Sequence, residues 1–211
     1  MLTVHHLGIS QSERIVWLCE ELEIPYDLVL YDRDPVTRLA PAEYKALHPL
    51  QTAPVITDGD VVLAESAAII EYICRKHAGG RLMAQPDDTG FSDFLFWFHF
   101  ANGSLVSAGM SDLIAAMLGA SAEQKQRVSA RSDNAHALVE ARLGVTPYLA
   151  GEAFSAADII TVYALTTMRA FIPRDLAPYP NIRAYLARIA ARPSYQRALA
   201  RSDPGLKPMI D

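Results

Sequence analysis

The sequence predicts an α/β domain followed by an all-α domain. Three observations predict it. β-rich runs are confined to the residues before Ser66, where they are interleaved with one clear helical pattern. A linker bearing Gly79-Gly80 and Gln85-Pro86-Asp87-Asp88 comes next. Beyond it the strand signals stop and apolar residues recur at helical spacing. The expected division is residues 1–80 and 87–211.

Leu2 to His6 reads as a strand. From Ser12 to Leu22, Ile15, Leu18, Cys19 and Leu22 fall at i, i+3, i+4 and i+7, one apolar helix face that Pro25 stops. Tyr26-Asp27-Leu28-Val29-Leu30-Tyr31 is a second strand. Asp32 to Gln51 is polar and proline-bearing, a loop with one short helix. In Thr52 to Ser66 a proline opens an apolar strand, an Asp58-Gly59 turn follows, then a second strand, then Glu65-Ser66 where a helix to His77 begins. The order is βαβ, a connector, then ββα.

Past the linker, Phe91 to Leu118 forms one long helix, with Gly103 or Gly109 as a place to bend. Ser121-Ala122-Glu123-Gln124 is a capping box for a helix reaching about Leu143. Ser155-Ala156-Ala157-Asp158 opens another, to about Ala170. Pro180-Asn181 precedes a fourth ending near Arg192-Pro193, and Tyr195 to Arg201 is a short final helix.

The 211 residues are 51% hydrophobic and 20% charged, with net charge −5 and pI about 5.7. This balance disfavours a nucleic-acid partner, which needs a basic face. No signal peptide and no bilayer-spanning apolar run is evident, so a cytoplasmic protein without a membrane partner is expected. Cys19 and Cys74 make no CxxC and fit a reducing compartment. No residues have metal-ligand spacing: His5 and His6 point to opposite sides of a strand, and His99 has no ligand partner at i+4. All three read as packed or surface histidines.

The Thr52–Ser66 stretch has the chemistry of a peptide-like ligand site. Proline at a strand start suits a cis bond, and Ala53 before it offers its backbone to an extended ligand. Glu65 can pair with an ammonium. Ser66 and the first amides of its helix can hold a carboxylate. A ligand carrying both groups on one carbon, with a peptide backbone, is the γ-glutamyl end of glutathione. Taken alone, the same stretch is a hairpin leading into a capped helix.

Four motifs give the chain a resemblance to the glutathione S-transferase superfamily over essentially its whole length. Ser10-Gln11-Ser12-Glu13-Arg14 before an apolar helix resembles the serine-type active-site start. Leu47-His48-Pro49-Leu50-Gln51-Thr52-Ala53-Pro54-Val55 resembles the family's cis-proline loop. Glu65-Ser66 resembles its γ-glutamyl clamp, and Phe154-Ser155-Ala156-Ala157-Asp158 its N-capping box and staple. Phe96 to Ser104 looks like the microbial, fungal-transferase-like branch. The resemblance implies a thioredoxin-like first domain, an all-helical second domain, a homodimer, and glutathione as cosubstrate with no metal. It implies conjugation of the glutathione thiolate to a small electrophile, or attack on a peroxide. A glutathione-binding protein without turnover is the alternative. The chain departs from the family where Gln51 replaces a frequent Gly and Thr52 a Lys that pairs with the glycine carboxylate of glutathione.

A free thiol has a pKa of about 8.5, so a hydroxyl donor at a helix start is needed to favour the thiolate. Ser10, four residues before Arg14, is the expected catalytic residue. Ser12 is the rival, with the alternative role of N-cap worth about 1 kcal/mol, and a backbone amide is the third option. Gln51, Thr52, Ala53, Pro54, Glu65 and Ser66 are the expected glutathione contacts, and His48 reads equally as contact or loop packing. The second substrate is expected between the domains, along Ile9 with Phe98, Asn102, Val106 and Met110, though Phe98 and Met110 fit a plain helix core equally well. Cys19 and Cys74 read as inert buried thiols, and Asp158 as structural.

Overall fold

The computed structural model describes residues 1–210, which pack as two units. The first holds Met1–Met83 together with Ala191–Pro208. The second holds Ala84–Ala190 with Met209 and Ile210.

The first unit runs β1 (Leu2–Leu7), α1 (Glu13–Leu22), β2 (Asp27–Tyr31), α2 (Ala42–Lys45), β3 (Val55–Asp58), β4 (Val61–Ala64) and α3 (Ser66–Ala78). Its sheet has the order β2-β1-β3-β4. β1 is parallel to β2 and antiparallel to β3, and β3 is antiparallel to β4. A parallel pair needs a crossover, and α1 supplies it. The apolar face read from the sequence is buried: Ile15, Leu18, Cys19 and Leu22 of α1 expose almost nothing. This is a thioredoxin-like unit with a small mixed sheet, as expected.

The hairpin turn differs by one residue from the expected one. Asp58 pairs with Val61, so the two loop residues are Gly59-Asp60. Gly59 has φ +62°, which explains the glycine. Asp58 instead closes β3 onto α3, accepting from the Tyr72 hydroxyl at 3.0 Å and pairing with His77 Nε2 at 2.7 Å and Lys76 Nζ at 3.1 Å. Burial works against ionisation, but these partners hold its carboxyl down at about 2.

The second unit contains α4 (Phe91–Phe100), a π-helical stretch (Ala101–Val106), α5 (Ser107–Met117), α6 (Ala122–Leu143), α7 (Ala156–Leu165), a 3₁₀ turn (Thr167–Ala170) and α8 (Pro180–Ala190). The long helix expected over 91–118 is thus interrupted by a wider π turn around Gly103 rather than bent at one glycine. Both capping boxes form. Ser121 Oγ accepts from the Gln124 amide at 3.2 Å while Gln124 Oε1 accepts from the Ser121 amide at 2.8 Å. The Ser155–Asp158 box opens α7, and Phe154 places its ring edge-on to Tyr148 with centroids 5.6 Å apart.

The final helix, α9 (Pro193–Ser202), was expected in the helical domain and packs with the first unit. Its partner is α1. The Trp17 and Tyr195 rings lie 4.8 Å apart at 67°, and Trp17 Nε1 donates to Ser194 Oγ at 3.3 Å. Arg197 and Arg201 donate to the Glu20 carboxylate at 3.0 and 2.5 Å, and Glu21 pairs with Arg192 and Ser194. An amphipathic ten-residue helix announces its apolar face but not which neighbour will cover it.

Candidate active site

The loop from β1 to α1 carries Ser10. Ile9 just before it has φ +50°, an uncommon conformation for a β-branched residue. Two side chains hold that backbone. Asp203, at the end of α9, accepts from the Ile9 amide at 2.8 Å. Arg33, beyond β2, donates Nε to the Gly8 carbonyl at 2.7 Å and Nη2 to the Ile9 carbonyl at 3.2 Å. The pinned loop sets Ser10 Oγ to accept from the Ser12 amide at 3.2 Å and to lie 2.8 Å from Ser12 Oγ. Ser10 is only 4% exposed, so its hydroxyl is largely desolvated.

Ser12 occupies the N-cap position of α1 but makes no capping bond. Its backbone is already helical, at φ −70° and ψ −16°, whereas a capping residue needs an extended one. The hydroxyl turns back to β1 instead. It accepts from the Leu7 amide at 3.1 Å and lies 2.9 Å from His6 Nδ1. The expected capping role of Ser12 is therefore replaced by a bridging one. Beyond it, His6 Nε2 lies 3.1 Å from Asp203 Oδ2. Ser10, Ser12, His6 and Asp203 form one buried chain.

His6 and Asp203 escaped the sequence reading. Strand alternation correctly separates His5, which bonds the Tyr31 hydroxyl at 3.1 Å and Thr57 Oγ1 at 3.2 Å and whose pKa burial lowers. It says nothing of which ring meets a functional loop, and Asp203 lies nearly the whole chain away.

The second half of the site forms around α3. The Ala53–Pro54 peptide is cis. Ala53 stands just before the β3 ladder, which begins at Val55 and pairs with His5. Glu65 has φ +72° and ψ 117°, and is exposed. A non-glycine residue held there marks a backbone that the surroundings over-determine, a frequent sign of function. No side chain caps α3, so its first amides remain free to meet an anion. Ser66 is buried, and its Oγ accepts from Arg14 Nη1 at 3.2 Å, which also donates to Gln11 Oε1 at 3.1 Å. Gln11, Arg14 and Ser66 thereby tie the start of α1 to the start of α3.

Gln51 and Thr52 are exposed, and Gln51 has φ +55°. That left-handed geometry is why glycine suits this position. His48 has a loop role: its Nδ1 accepts from the Leu50 amide at 3.2 Å. Cys19 and Cys74 are buried, and burial raises both thiols, Cys74 to about 12. They are un-ionised at neutral pH.

The expected second-substrate residues divide between the units. Ile9 lies in the first, half-buried. In the second, Phe98 is buried and stacks on Phe94 with centroids 5.5 Å apart; Val106 is buried; Asn102 is half-buried within the π stretch; Met110 is 43% exposed. The π turn breaks the steady four-residue stripe that the spacing implied. Asp158 is fully buried and accepts from the Leu149 and Ser155 amides at 3.0 and 2.9 Å and from the Tyr185 hydroxyl at 3.0 Å. Burial, only partly offset by these donors, raises its carboxyl to about 6. Among the described residues no helix is long and apolar enough to cross a membrane.

Residues 10–76 match the glutathione S-transferase N-terminal domain, and residues 99–193 match the C-terminal domain. The chain is 30% identical over 209 residues to glutathione S-transferase 3 of Schizosaccharomyces pombe, covering 92% of this chain and 85% of that one. The chain belongs to the glutathione S-transferase family. A glutathione S-transferase 3 from Zea mays is 28% identical over 195 residues, covering 89% of this chain and 87% of that one. A crystal structure of a glutathione S-transferase from Actinobacillus pleuropneumoniae superposes with a TM-score of 0.90 at 34% identity, covering 98% of this chain and 95% of that one. The N-terminal family match spans Ser10, the cis-proline and Glu65-Ser66. His6 and Asp203 lie outside both matched segments.

Proposed function

We propose that this family member is a serine-type glutathione transferase, joining the glutathione sulfur to a small electrophile. The observation that carries the reading is the buried hydroxyl of Ser10 at the start of α1, tied through Gln11 and Arg14 to the uncapped start of α3. In this reading Glu65 pairs with the γ-glutamyl ammonium. Ser66 and the first α3 amides take its carboxylate, and Ala53, ahead of cis-Pro54, pairs with the cysteinyl backbone. Gln51 and Thr52 offer neutral donors to the glycine carboxylate in place of a lysine.

Ser10 then donates its hydrogen bond to the sulfur. The donor and the positive end of α1 favour the thiolate over the thiol, and the released proton passes to solvent. A sulfur lone pair attacks the electrophilic carbon. The C–S bond forms as the carbon–leaving-group bond breaks, and the leaving group departs with that pair. With a hydroperoxide the thiolate attacks the terminal oxygen, the S–O bond forms as the O–O bond breaks, the alkoxide takes a proton from solvent and leaves as the alcohol, and a second glutathione converts the sulfenic acid to the disulfide with release of water. Asn102, polar and half-buried in a π turn, is assigned to orienting the second substrate; such turns occur frequently at functional sites.

The test is turnover with and without glutathione on aryl halides, epoxides, isothiocyanates and organic hydroperoxides. Glutathione-dependent turnover of at least one class that falls in Ser10→Ala is expected. Retention on glutathione resin with no turnover across the panel assigns the chain to binding alone. Homodimerisation, expected of the family, is tested by light scattering on the same preparation.

A further inference from the structure

The hydrogen-bonded chain continues inward from Ser10, and its protons decide which way the Ser10 hydroxyl points. Ser12 Oγ accepts from the Leu7 amide, which leaves it one proton and one lone pair for two close neighbours, Ser10 Oγ at 2.8 Å and His6 Nδ1 at 2.9 Å; the Leu7 carbonyl, at 3.4 Å, is a longer and weaker alternative for that proton. If His6 carries a proton only on Nε2, facing Asp203, then Nδ1 is an acceptor. It takes the Ser12 proton, Ser12 takes the Ser10 proton, and no donor is left for an outside sulfur. If both ring nitrogens carry protons, every bond reverses: Nδ1–H donates to Ser12, Ser12 donates to Ser10, and the Ser10 proton points out of the chain.

We propose that His6, held as an imidazolium by Asp203, is a positioning residue that turns the Ser12 and Ser10 hydroxyls outward toward the glutathione sulfur. The inference rests on the reading that Ser10 holds that sulfur. Burial supports the charged pair: the His6 side chain is 1% exposed and that of Asp203 8%, and a buried carboxylate persists when a cation pairs with it. Both Asp203 oxygens are engaged, Oδ2 by His6 and Oδ1 by the Ile9 amide. Burial pushes the Asp203 carboxyl up, yet the His6 hydrogen bond and charge outweigh it and leave the carboxyl below its ordinary value. One carboxylate thus fixes both the loop that carries Ser10 and the ring that orients it.

Other charged and titratable groups come close from the neighbouring elements. Tyr31, Asp32, Arg33 and Arg38 border the same open cavity of about 600 Å³ as His6, and Glu13 and Arg14 open α1. Arg33 donates to the Gly8, Ile9 and Arg38 carbonyls and Arg14 to Gln11 and Ser66, while the ring nitrogens of His6 meet Asp203 and Ser12.

The test is thiolate absorbance of glutathione bound to the full chain, titrated in wild type, Ser10→Ala, Ser12→Ala, Ser12→Thr and Asp203→Asn. Affinity for S-methylglutathione and the thermal midpoint are measured alongside. Ser12→Ala and Asp203→Asn should each raise the bound-thiol pKa and lower kcat about tenfold or more, with S-methylglutathione affinity within about twofold of wild type. Ser12→Thr keeps the hydroxyl and should recover most of the loss. If Ser10→Ala shifts the titration while folded Ser12→Ala and Asp203→Asn do not, the positioning role is wrong and the parent reading stands. If Ser10→Ala shifts nothing, the parent reading fails and takes this one with it. Should Asp203→Asn not fold, the Ser12→Ala and Ser12→Thr pair decides alone.

Discussion

Each unit buries a network built from serine and aspartate, and the two are wired in opposite senses. Around Asp158 every bond converges: the Leu149 and Ser155 amides, the Ser155 hydroxyl and the Tyr185 hydroxyl all donate to one carboxylate. Nothing in that network is left over for a ligand. The chain from Asp203 runs the other way, through His6 and Ser12, and ends on the hydroxyl of Ser10. A closed network specifies a helix start, and an open-ended one presents a donor. Their carboxylates differ accordingly, since full burial raises Asp158 to about 6 while partners keep the less deeply buried Asp203 below its ordinary value.

The largest expected difference is in stability. Asp158→Ala leaves several buried donors without an acceptor and should cost about 3–5 kcal/mol, read from denaturant midpoints. Ser10→Ala should cost less than about 1 kcal/mol of stability. A small loss in the first variant, or a comparable loss in both, breaks the contrast. Activity should divide the other way. Ser10→Ala should lower turnover at neutral pH by about ten- to a thousandfold, the range for one donor to an anion. Asp158 variants should keep their turnover per folded molecule.

Glu65 sharpens the contrast from the ligand side. Glu65→Ala should weaken glutathione binding by about 1.5–3 kcal/mol in calorimetry, the range for a charged hydrogen bond. Glu65→Gly should lose the same affinity while gaining stability, because φ +72° is unstrained only for glycine. Unchanged affinity in the folded variants contradicts the clamp.

Acidification separates the carboxyls of the two units by sign. The folded carboxyl of Asp158, near 6, lies above its unfolded value of 3.8, so its contribution is fully present below about pH 4 and lost as pH rises through 6. Asp158 should therefore contribute up to about 3 kcal/mol more at pH 4 than at pH 7, while His136 of the same unit, lowered by burial to about 4, withdraws a similar amount as pH falls through 6.5. Asp58, Glu20 and Asp203 are depressed in the first unit, so their contribution is present above pH 4 to 5 and lost below. Carbon-13 NMR titration should show the Asp158 carboxyl taking up its proton near pH 6, and those of Asp58 and Asp203 only below 3.8. The smallest effect expected is Gln51→Gly, a gain of about 0.5–1 kcal/mol from relieving a left-handed glutamine.

Local signals explain what was legible in the sequence. The α1 face, both capping boxes, the cis-proline position and the helix start at Glu65-Ser66 each depend on residues a few places apart, where spacing carries the information. What stayed hidden was long-range or geometric. α9 found α1 through Trp17, Glu20 and Glu21, which no periodicity links to residues 193–202. Ser12 looked like a cap because its position suits one, but a helical backbone at that residue swung its hydroxyl to His6. The π turn at Ala101–Val106 changes the phase of a helix whose apolar spacing looks continuous in sequence.

The central claim is that Ser10, at the open end of its network, stabilises a thiolate. Ultraviolet titration of glutathione bound to wild type and to Ser10→Ala tests it directly. The account predicts a bound-thiol pKa below about 8.5 in wild type and a clear rise toward that solution value in Ser10→Ala. Identical titration curves in the two proteins, with glutathione bound in both, would contradict it.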